Sequence, residues 1–127
     1  MASHNEFGKQ GELSARKYLI DNGYIIRHVN WRSRKNELDI VAEKGNIVVF
    51  VEVKTRSYDA YGLPEDFVNK SKMKRTISAA ADYYSYFNLE KEKLEPRFDI
   101  ISVLGADAAH FTIEHIEDAF TAYRLYG

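Results

Sequence analysis

Two carboxylates and an ammonium group interrupt the short apolar segments of residues 36–56. Asp39 lies in the first segment, and Glu52 and Lys54 end the second. Because strand side chains alternate between faces, Glu52 and Lys54 would point to one side of a strand and Val53 to the other. Carboxylates are ligands for Mg²⁺ or Mn²⁺, and such an ion neutralises a phosphodiester and activates water. A salt bridge at the rim of a sheet is the simpler alternative, and these residues alone do not decide between the two.

Lys54 has two conceivable roles at such a site, general base or positive clamp. A base must be neutral, whereas neighbouring carboxylates favour the charged ammonium. We therefore expect Lys54 to orient the attacking water and the scissile phosphate, while the metal ion does most of the activation.

The elements around these residues begin with a β-hairpin. Lys44-Gly45-Asn46 is a turn signal between the two apolar segments. Residues 47–51 are apolar on both faces, which predicts a central strand covered on both sides. Residues 24–32 are rich in β-branched and aromatic side chains and predict another strand just before the hairpin.

A helix from Ser3 to about Asn22 precedes these strands. Glu12 lies three and seven residues before Ala15 and Leu19, so it extends their apolar face towards the body of the protein. The alternative is an acidic residue that merely suits the N-terminal part of a helix. The sequence leaves both open.

A second helix is predicted from Pro64. Its apolar stripe steps by four and three through Met73, Ile77, Ala80, Tyr84 and Phe87. Traced backwards by three, the stripe reaches Lys70, which is expected at the N-terminal end of the core-facing side. Lys72 is expected on another face of the helix.

The remaining chain predicts two strands, at residues 97–104 and 110–116, and a short helix from Glu117. Repeats and linker-like segments are absent from the sequence, so we expect one domain spanning residues 1–127. Arg97 and Asp99 are expected to form a structural pair; substrate contact is the alternative.

Composition narrows the function classes. The chain has no cysteine, which excludes a disulfide framework and thiolate chemistry, and its four histidines lack zinc-ligand spacing. No signal peptide or membrane span is predicted, so a cytoplasmic protein is expected. The net charge is −1, yet residues 24–75 hold eleven basic and seven acidic side chains. A basic central region can bind nucleic acid despite a neutral total.

Taken together, the motifs resemble the YraN-like family of small, mostly uncharacterised bacterial proteins. The resemblance runs from about Gly8 to Phe120. The matching segments are Gly8-x-x-Gly11-Glu12-x-x-Ala15, Leu19-x-x-x-Gly23-Tyr24, Asn30-Trp31-Arg32, Glu37-Leu38-Asp39-Ile40-Val41, Val49-Phe50-Val51-Glu52-Val53-Lys54-Thr55-Arg56, Gly62, Lys70 and Arg97-Phe98-Asp99.

This resemblance implies a restriction-endonuclease-like α/β fold: an αβββαβ core whose central mixed sheet is flanked by helices. It also implies a PD-(D/E)xK metal site like that of Holliday-junction resolvases. The implied catalytic residues are Glu12, Asp39, Glu52 and Lys54, with Lys70 as an auxiliary residue. Mg²⁺ or Mn²⁺ would be held by Asp39, Glu52, the Val53 carbonyl and Glu12, the last directly or through water. Leu38 replaces the motif's proline, which does not touch metal.

The expected function is a metal-dependent endonuclease acting on DNA, with branched or recombination intermediates as the candidate substrate and a homodimer as the candidate assembly. A non-catalytic nucleic-acid-binding module and a protein-interaction subunit are the alternatives. Candidate phosphate contacts are Arg32, Arg34, Arg56 and Lys72, each of which could equally be a solvated surface residue. Glu37 would lie about 6–7 Å from Asp39 along the strand, so pairing with Lys35 or Arg56 is favoured over metal binding.

Overall fold

The apolar second strand of the hairpin is the middle strand of a five-stranded sheet in the computed structural model, which describes residues 4–34, 36–57, 69–107 and 110–121. The elements are α1 (His4–Asp21), β1 (Ile25–Ser33), β2 (Asn36–Lys44), β3 (Ile47–Ser57), α2 (Lys70–Tyr86), β4 (Glu95–Asp107) and β5 (His110–Ile116). The strands lie side by side in chain order. Only β3 and β4 run parallel, and α2 lies between them in the chain, so the sheet is mixed.

The hairpin and the central position of β3 are confirmed. The predicted order of one helix, three strands, a helix and a strand is observed, and β5 follows it. The described residues therefore form a small α/β domain with a five-stranded mixed sheet and two helices.

One face of the sheet packs against α1. Ala15 and Leu19 are fully buried there, with Val49 and Val51 of β3 in the same cluster. Gly11 allows the helix to approach closely, because a Cβ at this position would lie 2.1 Å from Oγ1 of Thr55. The turn of α1 that carries Glu12 is thereby held against β3.

The other face packs against α2 through aromatic side chains. Tyr83 is fully buried, and its ring lies 5.7 Å from that of Phe50 and 5.1 Å from that of Trp31. Tyr83 and Tyr84 therefore belong to the core, although the predicted helical stripe includes only Tyr84.

A buried polar cluster joins several elements and is called the Asp99 network below. Asp99 has no exposed surface and accepts hydrogen bonds from Arg97 and from the backbone N–H of Asp118. His115 Nε2 lies 2.7 Å from Asp99 Oδ2, and the hydroxyl of Tyr18 lies 3.1 Å from His115 Nδ1. The predicted pairing of Arg97 with Asp99 is confirmed.

Two expectations need correction. Lys70 is exposed rather than at the head of the core-facing side of α2. The tail is not helical over residues 117–121, where a turn leads to the buried Phe120. Phe120 packs on Ile100, so burying one aromatic ring fixes this segment without helical hydrogen bonds.

The predicted helix start at Pro64 lies outside the described residues. Neither described helix is long and apolar enough to cross a membrane.

Candidate active site

Asp39 lies where strands β2 and β3 separate. The ladder between them ends at the pair Ile40 and Val51. Beyond it, Oδ2 of Asp39 accepts a hydrogen bond of 3.0 Å from the backbone N–H of Val53. The side chain thus takes the place of a backbone acceptor, and this contact fixes the carboxylate beside Val53 of β3.

Glu52 completes what is called the carboxylate pair below, Asp39 and Glu52. It is only 5% exposed. Its Oε1 lies 3.0 Å from Nζ of Lys72 in α2, and its buried Oε2 has no hydrogen-bond partner among the described residues. A buried carboxylate oxygen without a donor is costly, and such an atom calls for a functional explanation.

The electrostatics of the pair favour an added positive charge. Burial and then the charge of Asp39 raise the pKa of Glu52 to about 7, although Lys72 opposes this. Burial also raises the pKa of Asp39, against the hydrogen bond from Val53 and the charge of Lys72. A proton or a cation shared between the two carboxyls would relieve both effects.

Glu12 lies near this pair, at the start of the firmly packed part of α1. Burial and then the charge of Asp39 raise its pKa, while Arg16 and a hydrogen bond with the Asn30 side chain lower it. Glu12 is partly buried and lies close enough to Asp39 for that charge to raise its pKa, which agrees with the inward-facing alternative.

The lysines differ from the sequence expectation. Lys72, expected on another face of α2, is the residue that contacts Glu52, and it is four residues before the buried Thr76. Thr76, Ala79 and Tyr83 are also spaced by three and four and are buried. Continuing this spacing backwards by four reaches Lys72, so this second stripe predicts that Lys72 faces the sheet. Nearby charge from Glu52 raises the pKa of Lys72 despite its partial burial, which lowers it.

Lys54 and Lys70 are both exposed. The ammonium of Lys54 forms no ion pair with another described residue, so it is available to a substrate beside β3. Among the described residues, Lys70 makes no hydrogen bond or ion pair with Asp39 or Glu52.

The candidate phosphate contacts have varied surroundings. Arg32 forms an ion pair of 2.9 Å with Glu37, a partner that the sequence did not predict, and Lys35 lies outside the described residues. The two residues are cross-strand neighbours in β1 and β2, a register that sequence alone does not provide. Arg34 is exposed, and Nε of Arg56 donates a long hydrogen bond of 3.4 Å to Ser102.

The donor set suits a hard divalent cation in part. Two carboxylates lie together, one of them with an unpartnered buried oxygen, and only oxygen ligands are offered. Among the described residues, however, no three acidic or histidine side chains are close enough to form a metal site by themselves. The pair would therefore hold an ion with help from the Val53 carbonyl and from water, and Glu12 would act through that water.

Comparison with known proteins gives a consistent result. Residues 11–103 match the sequence model of the family described as Uncharacterised protein family UPF0102. A UPF0102 protein of Phocaeicola vulgatus is 52% identical over 120 residues, which cover 94% of this chain and 96% of the relative. A UPF0102 protein of Bacteroides thetaiotaomicron is 50% identical over the same shares, and one of Flavobacterium psychrophilum is 46% identical over 94% and 98%.

Proposed function

The chain belongs to the UPF0102 family, as the YraN-like motifs predicted, and for this member we propose a metal-dependent endonuclease that hydrolyses phosphodiester bonds in DNA. The observation that carries the proposal is the buried carboxylate pair, in which Oε2 of Glu52 has no hydrogen-bond partner among the described residues. Two acids whose pKa values are both raised by burial, next to one another at a central strand, are poor for stability and well suited to binding a divalent cation.

The element order supports a restriction-endonuclease-like fold for this domain. In that interpretation the motif acids are Asp39 and Glu52. Both lie just beyond the last paired residues of β2 and β3, where Asp39 accepts a hydrogen bond from Val53. A bound Mg²⁺ or Mn²⁺ would supply Lewis-acid activation of water and neutralise charge on the phosphate.

The protein side chains would divide the remaining work. Asp39, Glu52 and the Val53 carbonyl would hold the ion, and Glu12 would hold one of its waters. Lys54 is exposed beside them and would orient the attacking water and the scissile phosphate. Arg34 and Arg56 would contact flanking phosphates, which fits the basic balance of residues 24–75. We propose branched DNA as the substrate to test first. We also propose that the active assembly is a homodimer, which would cut two strands.

The test is cleavage of linear and branched DNA by pure protein with Mg²⁺ or Mn²⁺. Asp39→Ala and Glu52→Ala should each lower the cleavage rate by at least about a hundredfold, because each removes a ligand. Glu37→Ala is the matched control, since it removes a nearby acid that is ion-paired with Arg32. Wild-type cleavage rates in either pure ligand variant, with circular dichroism unchanged, would refute the proposal.

A non-catalytic nucleic-acid-binding module is the second candidate, and one observation favours it. Lys72 already supplies a positive charge to Glu52, as a protein without a metal ion would require. Titration with Mn²⁺ by calorimetry, with and without DNA, separates the two functions. Metal binding that Asp39→Ala abolishes favours the nuclease, and DNA binding without any metal binding favours the module.

A further inference from the structure

A small depression lies beside the carboxylate pair, between the start of β2 and the first turns of α2. Its volume is about 130 Å³, and it is lined by Asn36, Glu37, Lys72, Arg75 and Thr76. Lys72 connects the depression to the pair, because its Nζ lies 3.0 Å from Oε1 of Glu52. A ligand bound in the depression would therefore lie next to the proposed cation site.

The two cations of the depression have donors to spare. Arg75 is exposed, and within the parts of the chain that the structure describes its guanidinium makes one hydrogen bond, of 3.3 Å, to the neutral hydroxyl of Ser71. The Lys72 side chain is 43% exposed, and an ammonium has more N–H donors than its contact with Glu52 uses. Both side chains can therefore bind a further anion.

The rest of the lining does not oppose an anion. The carboxylate of Glu37 is already neutralised, since its Oε2 lies 2.9 Å from Nε of Arg32. The hydroxyl of Thr76 donates to the backbone carbonyl of Lys72. Lys72 lies in the first turn of α2, where the helix dipole adds positive potential. The local field therefore favours negative charge.

The types and spacing of the two cations indicate a phosphate. Lys72 and Arg75 are three residues apart in α2, so they are neighbours on the surface of the helix. The planar arginine fork binds phosphate oxygens through parallel N–H donors, and a lysine adds a point charge beside it. Contacts of this kind fix the position of a nucleic-acid backbone and do not read its bases.

We propose that Lys72 and Arg75 form a phosphate subsite, which binds a backbone phosphate of DNA beside the carboxylate pair. The inference rests on the proposed function for its ligand, DNA. Arg75 is the main contact, and Lys72 is shared between this phosphate and Glu52. A phosphate held here fixes the register of the DNA strand against the carboxylate pair.

The experiment measures the affinity of the full chain for a labelled linear DNA duplex by fluorescence anisotropy, in EDTA and over a series of NaCl concentrations. Arg75→Met removes the guanidinium, and Arg75→Lys keeps the charge but removes the fork. Lys91→Met is the matched control, because it removes one positive charge from an exposed residue that does not line the depression. Circular dichroism checks that each variant is folded.

We expect Arg75→Met to weaken DNA binding by roughly tenfold, as the loss of a charged hydrogen bond does. The slope of the logarithm of the binding constant against the logarithm of the salt concentration should become shallower by about 0.9, the value for one phosphate contact. The loss should be the same for duplexes of different sequence. Arg75→Lys should keep the slope but bind less tightly than wild type, and Lys91→Met should bind as wild type does.

The outcomes separate this inference from the proposed function. Wild-type affinity in Arg75→Met, or equal losses in Arg75→Met and Lys91→Met, overturns the subsite and leaves the carboxylate pair standing. A wild-type protein that binds no duplex in EDTA also overturns the subsite, while the cleavage assay still decides the proposed function. Weaker DNA binding in Arg75→Met by a protein that cleaves no DNA would support the subsite and refute the nuclease.

A free phosphate is the other source of the same chemistry, and inorganic phosphate tests it. The titration is made by calorimetry at constant ionic strength, with wild type and with Arg75→Met. Binding of inorganic phosphate that Arg75→Met abolishes, together with unchanged affinity for DNA, would overturn the inference.

Discussion

Asp99 and Glu52 are both buried carboxylates of neighbouring central strands, but the protein surrounds them in opposite ways. Asp99 is bound by Arg97 at 2.9 and 2.7 Å, by His115 at 2.7 Å and by the backbone of Asp118 at 3.0 Å. Glu52 has one ion pair, with Lys72, and an acid beside it. Both oxygens of Asp99 therefore accept hydrogen bonds, whereas Oε2 of Glu52 has no donor among the described residues.

The pKa shifts follow from this difference. Burial alone would raise the pKa of Asp99, but the hydrogen bonds from His115, Arg97 and Asp118 hold it below its ordinary value. For Glu52, burial and Asp39 together raise the pKa to about 7. Burial is therefore common to both sites, and the supply of donors decides the sign of the shift. We infer that the Asp99 network stabilises the fold, whereas the carboxylate pair is suited to the cation binding that we propose for it.

The largest expected effect is on the Asp99 network. Asp99→Ala leaves the Arg97 guanidinium partly buried without its partner, so the free energy of unfolding should fall by about 3–5 kcal/mol. Urea denaturation measures this change. Asp21→Ala, which removes an exposed ion pair with Lys17, is the control and should change stability by less than about 1 kcal/mol. Equal losses in the two variants would contradict the structural role of the network.

The stability contributed by Glu52 should change with pH in the direction opposite to the stability contributed by Asp99. An acid whose pKa is raised by folding binds its proton more tightly when folded, so its stabilisation is present below pH 4.5 and is lost as the pH rises to about 7. We expect a loss on the order of 3 kcal/mol over this window. Asp99, whose pKa folding lowers, contributes stability that is lost only as the pH falls below 3.8.

Glu52→Gln isolates the first of these effects. Glutamine resembles the protonated acid in shape, so the variant should match wild type near pH 4.5 and exceed its stability above pH 7. Urea denaturation across this pH range provides the measurement. The same slope between pH 4.5 and 7 in both proteins would show that Glu52 is not the titrating group.

A smaller effect is expected at the lysine beside Glu52. Lys72→Met removes the charge that opposes the raised pKa of Glu52, so the pH at which stability is lost should move upwards. Above that pH, the free energy of unfolding should fall by about 1–2 kcal/mol, less than for a fully buried pair because Lys72 is partly exposed. Lys70→Met is the matched control on the same helix turn and should stay within about 0.5 kcal/mol of wild type. A larger loss of unfolding free energy in Lys70→Met than in Lys72→Met would show that Lys70, as the sequence predicted, is the auxiliary residue.

The sequence predicts the fold well where one physical signal dominates. The turn at Gly45 and the doubly apolar run of β3 are local, and they sufficed to place Asp39 and Glu52 on paired strands. The pair Arg97 and Asp99 could also be anticipated, because side chains two apart share a strand face.

The details of the site could not be read in the same way. Assigning side chains by strict alternation fails when a strand departs from regular geometry, as β1 does between His28 and Trp31. The choice between Lys70 and Lys72 required the rotation of α2 on the sheet, which is set by the packing of Tyr83. The bonds to His115 depend on β5, whose register against β4 is a tertiary property.

The smallest expected effect comes from the rim of the Asp99 network. When Nε2–H of a neutral His115 donates to Asp99, Nδ1 is left to accept from the Tyr18 hydroxyl. Tyr18→Phe removes this one bond and should lower the free energy of unfolding by about 1 kcal/mol. Tyr86→Phe, at a ring that is 72% exposed, is the control and should have no measurable effect. Mn²⁺ binding should be unchanged in both variants, because Tyr18 belongs to the network that stabilises the fold. Weaker Mn²⁺ binding in Tyr18→Phe alone would mean that the two buried acidic regions are coupled, and the division between a structural and a binding carboxylate would have to be abandoned.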